Sequence, residues 1–277
     1  MKVLSGLKES VLICLVFFFL VLIFFYGFFF SAFREYLYSD MLGFWLRAME
    51  RLNGDTYNLT QYLAWPPGYH IFLAEFFRVL RWLGLEGLIK VETVLFMNML
   101  AYAASVYAMQ RILTRWFQSP RWMLAALLLY AFGFPALYFN VFLLSGNLAV
   151  PLLILAIALL YCREGWPSLI AAALLFSLTA IFRPSLAPLG LAFVVYFLVR
   201  WRLNRAFLVR AAVFSAIFFA LVFAAGLEVS RISQGKVTGL SANGGLDFFI
   251  ANSRYNSVGL HYEGWHHVIV VPALSDN

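Results

Sequence analysis

The chain has 277 residues, of which 64% are hydrophobic, 19% aromatic and only 12% charged, and its mean hydropathy is +0.85. Soluble domains carry about twice that share of charged residues, so the composition excludes an ordinary soluble domain. The formal net charge of +7 is spread over the ends of apolar segments, which gives no indication of nucleic-acid binding.

Several apolar segments approach or exceed the ~20 residues that cross a bilayer, which predicts an all-α, multi-pass transmembrane helical bundle forming one domain over residues 1–277. The first segment, residues 11–33, follows Lys2 and Lys8 and is longer than the apolar core of a signal peptide. We interpret it as a retained signal anchor with a cytoplasmic N-terminus. Six further spans are predicted at residues 91–113, 122–140, 143–161, 168–182, 185–199 and 209–226.

The distribution of charge supports seven spans. Two long outer regions, residues 34–90 and 227–277, hold every acidic residue except Glu9, Glu164 and Glu92, the last of which lies at the outer start of the next predicted span. The short connections on the other side are dense in arginine, as the positive-inside rule requires of cytoplasmic loops. The basic residues predicted on that side are Lys2, Lys8, Arg111, Arg115, Arg121, Arg163, Arg200, Arg202, Arg205 and Arg210.

The first outer region, residues 34–90, contains two short amphipathic segments. Residues 40–52 have helical spacing and predict a helix on the membrane surface, ended by Asn53-Gly54-Asp55. Its expected apolar stripe is Leu42, Trp45, Leu46, Met49 and Leu52. Residues 71–83 are apolar but short and carry three charges, which favours an interfacial or re-entrant helix over a span.

Asp40 lies a few residues beyond the first predicted span, at the boundary between water and lipid. A carboxylate there can accept the proton of an acceptor hydroxyl as that hydroxyl attacks a sugar carbon. The alternative is structural, because Ser39 or Asp40 would also serve as the N-cap of the surface helix. Glu50 and Asp55 are expected to be solvated loop acids.

Two proline motifs mark further candidate sites. In Trp65-Pro66-Pro67-Gly68-Tyr69 the prolines fix the backbone direction and Gly68 permits close approach of another segment. Arg183-Pro184 lies where a predicted span reaches the outer face. An arginine at that depth either binds a lipid phosphate through two parallel hydrogen bonds or only extends its charge to the interface.

The second outer region contains Asn243-Gly244-Gly245, followed by an aromatic stretch and Asn252. Glycine lets backbone amides approach a ligand, and asparagine supplies both donors and acceptors for sugar hydroxyls or phosphate. The alternative is a hairpin turn. Further on, the spacing of the His and Glu side chains matches no metal motif, so contacts with an acceptor or the interface are favoured for them. These residues are His261, Glu263, His266 and His267.

Taken in this order, Ser39-Asp40, Pro66-Pro67-Gly68-Tyr69, Arg183-Pro184 and Asn243-Gly244-Gly245 to Asn252 resemble the motifs of the GT-C superfamily of membrane glycosyltransferases. The nearest branch resembles the bacterial enzymes related to protein O-mannosyltransferases and lipid A aminoarabinose transferases. The resemblance implies a polyprenyl-phosphate-linked sugar as donor and a lipid, glycan or protein hydroxyl as acceptor. It also implies transfer on the extracytoplasmic face of the bacterial inner membrane.

The resemblance assigns roles to individual residues. Asp40 would be the general base, with inversion at the anomeric carbon, and Arg183 would bind the donor phosphate. Related branches differ in metal use, so the resemblance does not decide whether a divalent metal takes part. The residues implied in substrate binding are Tyr69, Asn243, Gly244, Gly245 and Asn252.

The chain departs from the family in two places. Many members carry an acidic residue early in a middle span, where this chain has Ser145-Gly146-Asn147. Members also continue well beyond the N-G-G loop, so we expect a C-terminally truncated form. The alternative function is a non-catalytic transporter or assembly subunit that handles lipid-linked sugars. Phe132-Gly133-Phe134-Pro135 and Pro151 would break helices as transporters require.

Overall fold

In a computed structural model of the protein, the residues that the structure describes are 39–54, 66–133, 142–163, 165–201, 205–235 and 239–240, together with Val16, Leu20 and Leu37. All regular structure in these residues is helical, which confirms the predicted all-α class for the described part of the chain. Of the predicted signal anchor, only Val16 and Leu20 are described. Both are helical, and Leu20 is buried in the core.

We number the α-helices in chain order. They are α1 (Ser39–Asn53), α2 (Gly68–Trp82), α3 (Val91–Trp116), α4 (Pro120–Phe132), α5 (Gly146–Cys162), α6 (Trp166–Phe182), α7 (Leu189–Trp201) and α8 (Arg205–Ile232). Short 3-10 turns at Glu86–Leu88 and Pro184–Leu186 precede α3 and α7. The bounds of α6 and α7 confirm the predicted break at Arg183-Pro184, where the backbone of Arg183 leaves the helical region at φ −140° and ψ 87°.

Helix α1 confirms the predicted helix, and its position on a membrane surface stays a prediction. It ends at Asn53, and Gly54 follows with φ 77° in the left-handed region that glycine adopts without strain. Of the predicted apolar stripe, Leu42 and Leu46 are 40% and 44% exposed. The buried positions recur every three or four residues on the neighbouring face, where α2 packs, and are Met41, Phe44, Ala48 and Leu52.

Helix α2 has 15 residues, about 22 Å of helix, and its interfacial or re-entrant position stays a prediction. It begins directly after Pro67, whose carbonyl accepts a hydrogen bond of 2.9 Å from the Ile71 amide. Leu73, Ala74 and Phe77 are fully buried against α1 and α3. The helix is thus an integral part of the core.

Among the described residues, two helices are long and apolar enough to cross a membrane: α3, and α8 over Phe207–Ile232. In the most apolar window of α8 only 11% is buried, whereas in α3 the share is 56%. Helices α4, α5 and α6 are apolar but shorter. These helices support membrane association, and the arrangement with seven spans stays a prediction. Helix α8 also continues to Ile232, six residues beyond the predicted end of the last span, and the start of the outer region at residue 227 stays a prediction.

Contacts between helix ends divide the bundle into two ends. At one end, α1 and α2 meet the N-termini of α3 and α5 and the C-termini of α6 and α8, and we call this the mixed-charge end. At the other end, Arg115 of α3 bonds to the C-terminus of α5, and Arg210 of α8 lies over Trp166 of α6. We call this the arginine end. The predicted outer and cytoplasmic helix ends fall on opposite sides of this division.

Candidate functional site

The Pro66–Tyr69 turn packs against the C-terminal end of α6. A Cβ atom at Gly68 would overlap the side chain and carbonyl of Ile181, so only glycine fits this approach. The Tyr69 ring lies edge-on between two phenylalanines, 5.0 Å from Phe44 of α1 and 5.9 Å from Phe182 of α6 between ring centroids. The turn therefore joins α1, α2 and α6 at one point.

Asp40 lies in the first turn of α1 and is exposed. It precedes Phe44 by four residues, so both side chains lie on one face of the helix about 6 Å apart along its axis. This register places the carboxylate at the same end of the bundle as the Phe44–Tyr69 contact. A carboxylate in the first turn also interacts favourably with the helix dipole, so the structural role weighed for Asp40 stays open.

Arg183 follows Phe182 directly and is exposed at the mixed-charge end. Its guanidinium lies against Gly146 at the start of α5, where a Cβ atom would be only 2.6 Å from Nη1 of Arg183. The positive end of the α5 dipole and the guanidinium are thus adjacent. Two adjacent positive groups at one exposed position favour an anion beside them.

An apolar cavity of about 200 Å³ lies between α2, α6 and α8, and Phe182, the residue before Arg183, is part of its wall. Glu228 is its one charged wall residue among the described part of the chain. The remaining wall is formed by Pro67, Gly68, Ile71, Phe72, Leu178, Ile181, Phe182, Ala225, Val229 and Leu240. Phe182 and Gly68 therefore belong both to this wall and to the contacts that position Arg183.

An ion-pair network holds the wall of the cavity to α1. The guanidinium of Arg51, which is 15% exposed, donates to Glu75 of α2 at 3.2 Å and to Glu228 of α8 at 3.0 Å. Glu228 also accepts two hydrogen bonds from Arg231, and Glu75 pairs with Arg78. One arginine of the first outer region thus ties α1, α2 and α8 together.

Buried polar side chains underlie the network. Tyr69, His70 and Asn98 are each 0% exposed. Burial raises the pKa of the Tyr69 hydroxyl, and the nearby Asn98 side chain opposes that rise, although their geometry falls short of a regular hydrogen bond. Burial also lowers the pKa of His70 to about 3, and the charges of Arg47 and Arg51 lower it further. His70 is therefore neutral at physiological pH.

The structure brings three predicted site residues, Asp40, Tyr69 and Arg183, to one end of the bundle. Tyr69 is fully buried, which gives it a packing role, and its part in substrate binding stays a prediction. The predicted roles of Asn243, Gly244, Gly245 and Asn252, and that of Asp55, fall on residues outside the described part of the chain. The same holds for the histidines from His261 onward.

The expectation for Glu50 is wrong. This residue lies on α1 and not in a loop, its side chain is only 30% exposed, and it pairs with Arg47 at 3.4 Å. The helix continues past the charged stretch because Met49 and Leu52 maintain the apolar spacing. Glu50 is therefore part of the packed α1 helix.

Three residues of this end escaped the sequence analysis: His70, Asn98 and Arg51. Asn98 would have been the easiest of the three to predict from the sequence, because an amide inside a predicted span indicates a polar contact in the core. His70 follows the P-P-G-Y motif directly, but nothing in the spacing shows that it is buried. Arg51 resembles the other arginines at helix ends, and only its distances to α2 and α8 distinguish it.

Comparison of the chain with models of known protein families, with curated protein sequences and with solved structures gives no match. The function is therefore argued from the residues and their geometry.

Proposed function

We propose that this protein is an integral-membrane glycosyltransferase that moves a sugar from a polyprenyl-phosphate donor to a lipid, glycan or protein hydroxyl on the extracytoplasmic side. The observation that carries the proposal is the position of Arg183. Its guanidinium lies against Gly146 at the N-terminus of α5, and the residue before it, Phe182, lines an apolar cavity. This arrangement suits a ligand with an anionic head and an apolar chain.

The phosphate of the donor would lie beside the guanidinium of Arg183, at the N-terminal end of α5. Bidentate hydrogen bonds from a guanidinium to phosphate oxygens are short and charge-assisted, and the α5 dipole adds to them. The first part of the isoprenoid chain would enter the apolar cavity, where burial of its methyl and methylene groups adds about 0.8 kcal/mol per CH₂. Ser145-Gly146-Asn147, which departs from the family pattern, would then contribute to the phosphate site.

Asp40 would act as the general base. It is exposed at the mixed-charge end and can reach an acceptor hydroxyl that arrives from water. The polyprenyl phosphate is itself a competent leaving group, so the reaction has little need of a general acid. The predicted contacts of Asn243, Gly244, Gly245 and Asn252 with the sugar complete the proposal, and metal use stays open.

The proposed membrane orientation rests on charge. Arginine-rich helix ends face the cytoplasm in multi-pass proteins, and the arginine end carries such residues. The mixed-charge end, with Asp40 and Arg183, would then face the extracytoplasmic side. The protein would be a multi-pass protein of the bacterial inner membrane.

The test is a transfer assay with radiolabelled polyprenyl-phosphate sugars, which compares the wild-type chain with Asp40→Asn. We expect transfer to fall by at least about 100-fold, because a positioned general base contributes 10²–10⁴-fold. Glu86→Gln, an exposed acid of the same end, is the matched control and should keep its activity. Equal transfer by Asp40→Asn and the wild type would remove Asp40 from the mechanism.

Donor binding is measured in parallel, because it separates the enzyme from its alternative. Arg183→Ala should raise the donor KM more than it lowers kcat, and Arg183→Lys should recover only part of the affinity because it cannot bind bidentately. Donor binding by the wild-type chain without any transfer would favour the non-catalytic transporter or assembly subunit. Pro151, which lies inside α5, is the observation that favours this alternative.

A further inference from the structure

The arginine end carries a concentrated positive charge that the proposed transfer reaction does not use. Every ionisable side chain of Lys, Arg, Asp or Glu described there is an arginine, and all but Arg210 are exposed. The acid predicted on this side, Glu164, lies outside the described residues. The described arginines are Arg111, Arg115, Arg121, Arg163, Arg205 and Arg210.

Three of these arginines converge where the C-terminal ends of α3 and α5 meet, a place that we call the α3–α5 seam. The guanidinium of Arg115 donates to the carbonyls of Tyr161 and Cys162, the latter at 2.9 Å. The thiol of Cys162 donates to the carbonyl of Arg111 at 3.2 Å. Arg163 follows Cys162 directly, so Arg111, Arg115 and Arg163 belong to one small surface.

Arg115 removes the electrostatic obstacle to an anion at the seam. The last carbonyls of α5 would otherwise repel a phosphate, since a helix C-terminus carries about half a negative charge. Arg115 neutralises two of those carbonyls. Arg111 and Arg163 are exposed, and their charge remains available to a ligand.

Exposed aromatic side chains indicate which anion suits the seam. Trp116 is 67% exposed and lies next to Tyr161, with ring centroids 6.4 Å apart. Phe117, directly after α3, and Trp122, in the first turn of α4, are 39% and 68% exposed. Tryptophan beside arginine is typical of the level of lipid headgroups, where the ring contacts acyl chains and the cation contacts phosphates.

From this juxtaposition we propose that the α3–α5 seam is a binding site for the phosphate of an anionic phospholipid of the surrounding leaflet, with Arg111 and Arg163 as its ligands and Trp116 against the acyl chain. Arg115 is the positioning residue that closes the C-terminus of α5. The site lies at the end of the bundle opposite Asp40 and Arg183. Whether this lipid site exists therefore does not depend on whether the protein transfers a sugar.

The experiment titrates the detergent-solubilised full chain with phosphatidylglycerol or phosphatidylcholine and measures retained lipid by native mass spectrometry. We expect tighter binding of phosphatidylglycerol. Arg111→Gln/Arg163→Gln should weaken it about thirty-fold, since each arginine near an anionic headgroup contributes about a factor of five. Arg121→Gln/Arg205→Gln removes the same charge from the same end and should weaken binding by no more than about three-fold.

Each other outcome overturns the proposal. Equal weakening by the two double variants would indicate a diffuse field instead of a site. Equal binding of phosphatidylcholine and phosphatidylglycerol would exclude recognition of the anionic headgroup. Displacement of the lipid by inorganic phosphate at comparable concentration would show that the seam binds free phosphate.

Arg111→Lys/Arg163→Lys keeps the charge and should retain most of the affinity, which excludes misfolding as the cause of the loss.

Discussion

The two ends of the bundle differ in how their charges are used. At the mixed-charge end, most acids lie close to bases, and Arg51 alone bridges three helices. At the arginine end, guanidinium groups contact backbone carbonyls and two aromatic rings, and no acid is among the described residues there. Both ends have arginines, so the difference lies in their partners.

This difference has a physical cause. Partly buried charges need opposite charges or hydrogen bonds, because desolvation of an unpaired ion is costly, and α1 and α2 bring such charges into the packed core. Exposed arginines at helix C-termini need no carboxylate, since water, phosphates and terminal carbonyls satisfy them. We therefore expect the mixed-charge end to be the more sensitive to substitution.

The largest expected effect is at Tyr69, where a fully buried ring connects α1, α2 and α6. Tyr69→Ala should lower the free energy of unfolding by about 3–5 kcal/mol, the usual cost of an emptied aromatic site. Tyr161→Ala at the arginine end removes a half-buried ring and should cost about 1 kcal/mol. Denaturant unfolding in detergent measures both values.

A companion variant separates the ring of Tyr69 from its hydroxyl. Tyr69→Phe should change stability by less than about 1 kcal/mol, because the buried hydroxyl makes no regular hydrogen bond with the described residues. If Tyr69→Ala and Tyr161→Ala lowered the free energy of unfolding by similar amounts, the two ends would be equally well packed, which contradicts the expected difference between them.

A smaller effect is expected at Arg51. Arg51→Met keeps the aliphatic stem but leaves Glu75 and Glu228 without their shared cation, and should cost about 2 kcal/mol. This value is below the full cost of a buried pair because Glu75 is 43% exposed. Arg115→Met, with its bonds to exposed carbonyls, should cost about 1 kcal/mol or less.

The salt dependence of stability gives a second test of the Arg51 network. Screening acts on exposed charges more than on partly buried ones, so high salt should leave the loss at Arg51 largely intact and reduce the loss at Arg115. The readout is again unfolding in detergent, at low and high ionic strength. The opposite order would mean that the network around Arg51 is solvated and contributes little.

The smallest effect concerns pH and involves the mixed-charge end alone. The pKa of His70 is about 3 in the folded protein and 6.5 in an unfolded chain, so the unfolded state binds the extra proton. Stability is then fully present above pH 6.5 and falls as the pH drops towards 3. The loss at pH 5.5 should be about 1.4 kcal/mol.

His70→Gln is the matched variant, because glutamine fills a similar space without titrating between pH 7.5 and 5.5. It should remove most of the pH dependence over this range, as measured by unfolding at each pH. Parallel pH profiles for the variant and the wild type would show that His70 is protonated or exposed in the folded protein.

Much of the helical structure was accessible from the sequence. The apolar stretch before Arg183 and the proline after it predicted where α6 ends, and Asn53-Gly54 predicted the end of α1. The buried face of α1 was not predictable in the same way. Its apolar residues cover more than one face, so the position of α2 decides that Phe44 is buried while Leu46 is exposed.

The candidate site shows the same division. The sequence singled out Asp40, Tyr69 and Arg183 from local motifs, because prolines, glycines and rare charges stand out in an apolar chain. It could not show that Arg183 lies against Gly146, a residue 37 positions earlier in the numbering of the chain. Nor could it show that His70 is neutral, since that depends on burial and on two arginines of another helix.

The sequence by itself thus determined that the chain is helical, apolar enough for a membrane and asymmetric in charge. These properties follow from composition and from local spacing, which each residue carries wherever it lies. Only the tertiary structure decided which charges are paired, which glycines allow close approach and where a cavity opens. Those features depend on distances between helices that are far apart in the chain, and on the desolvation that packing imposes.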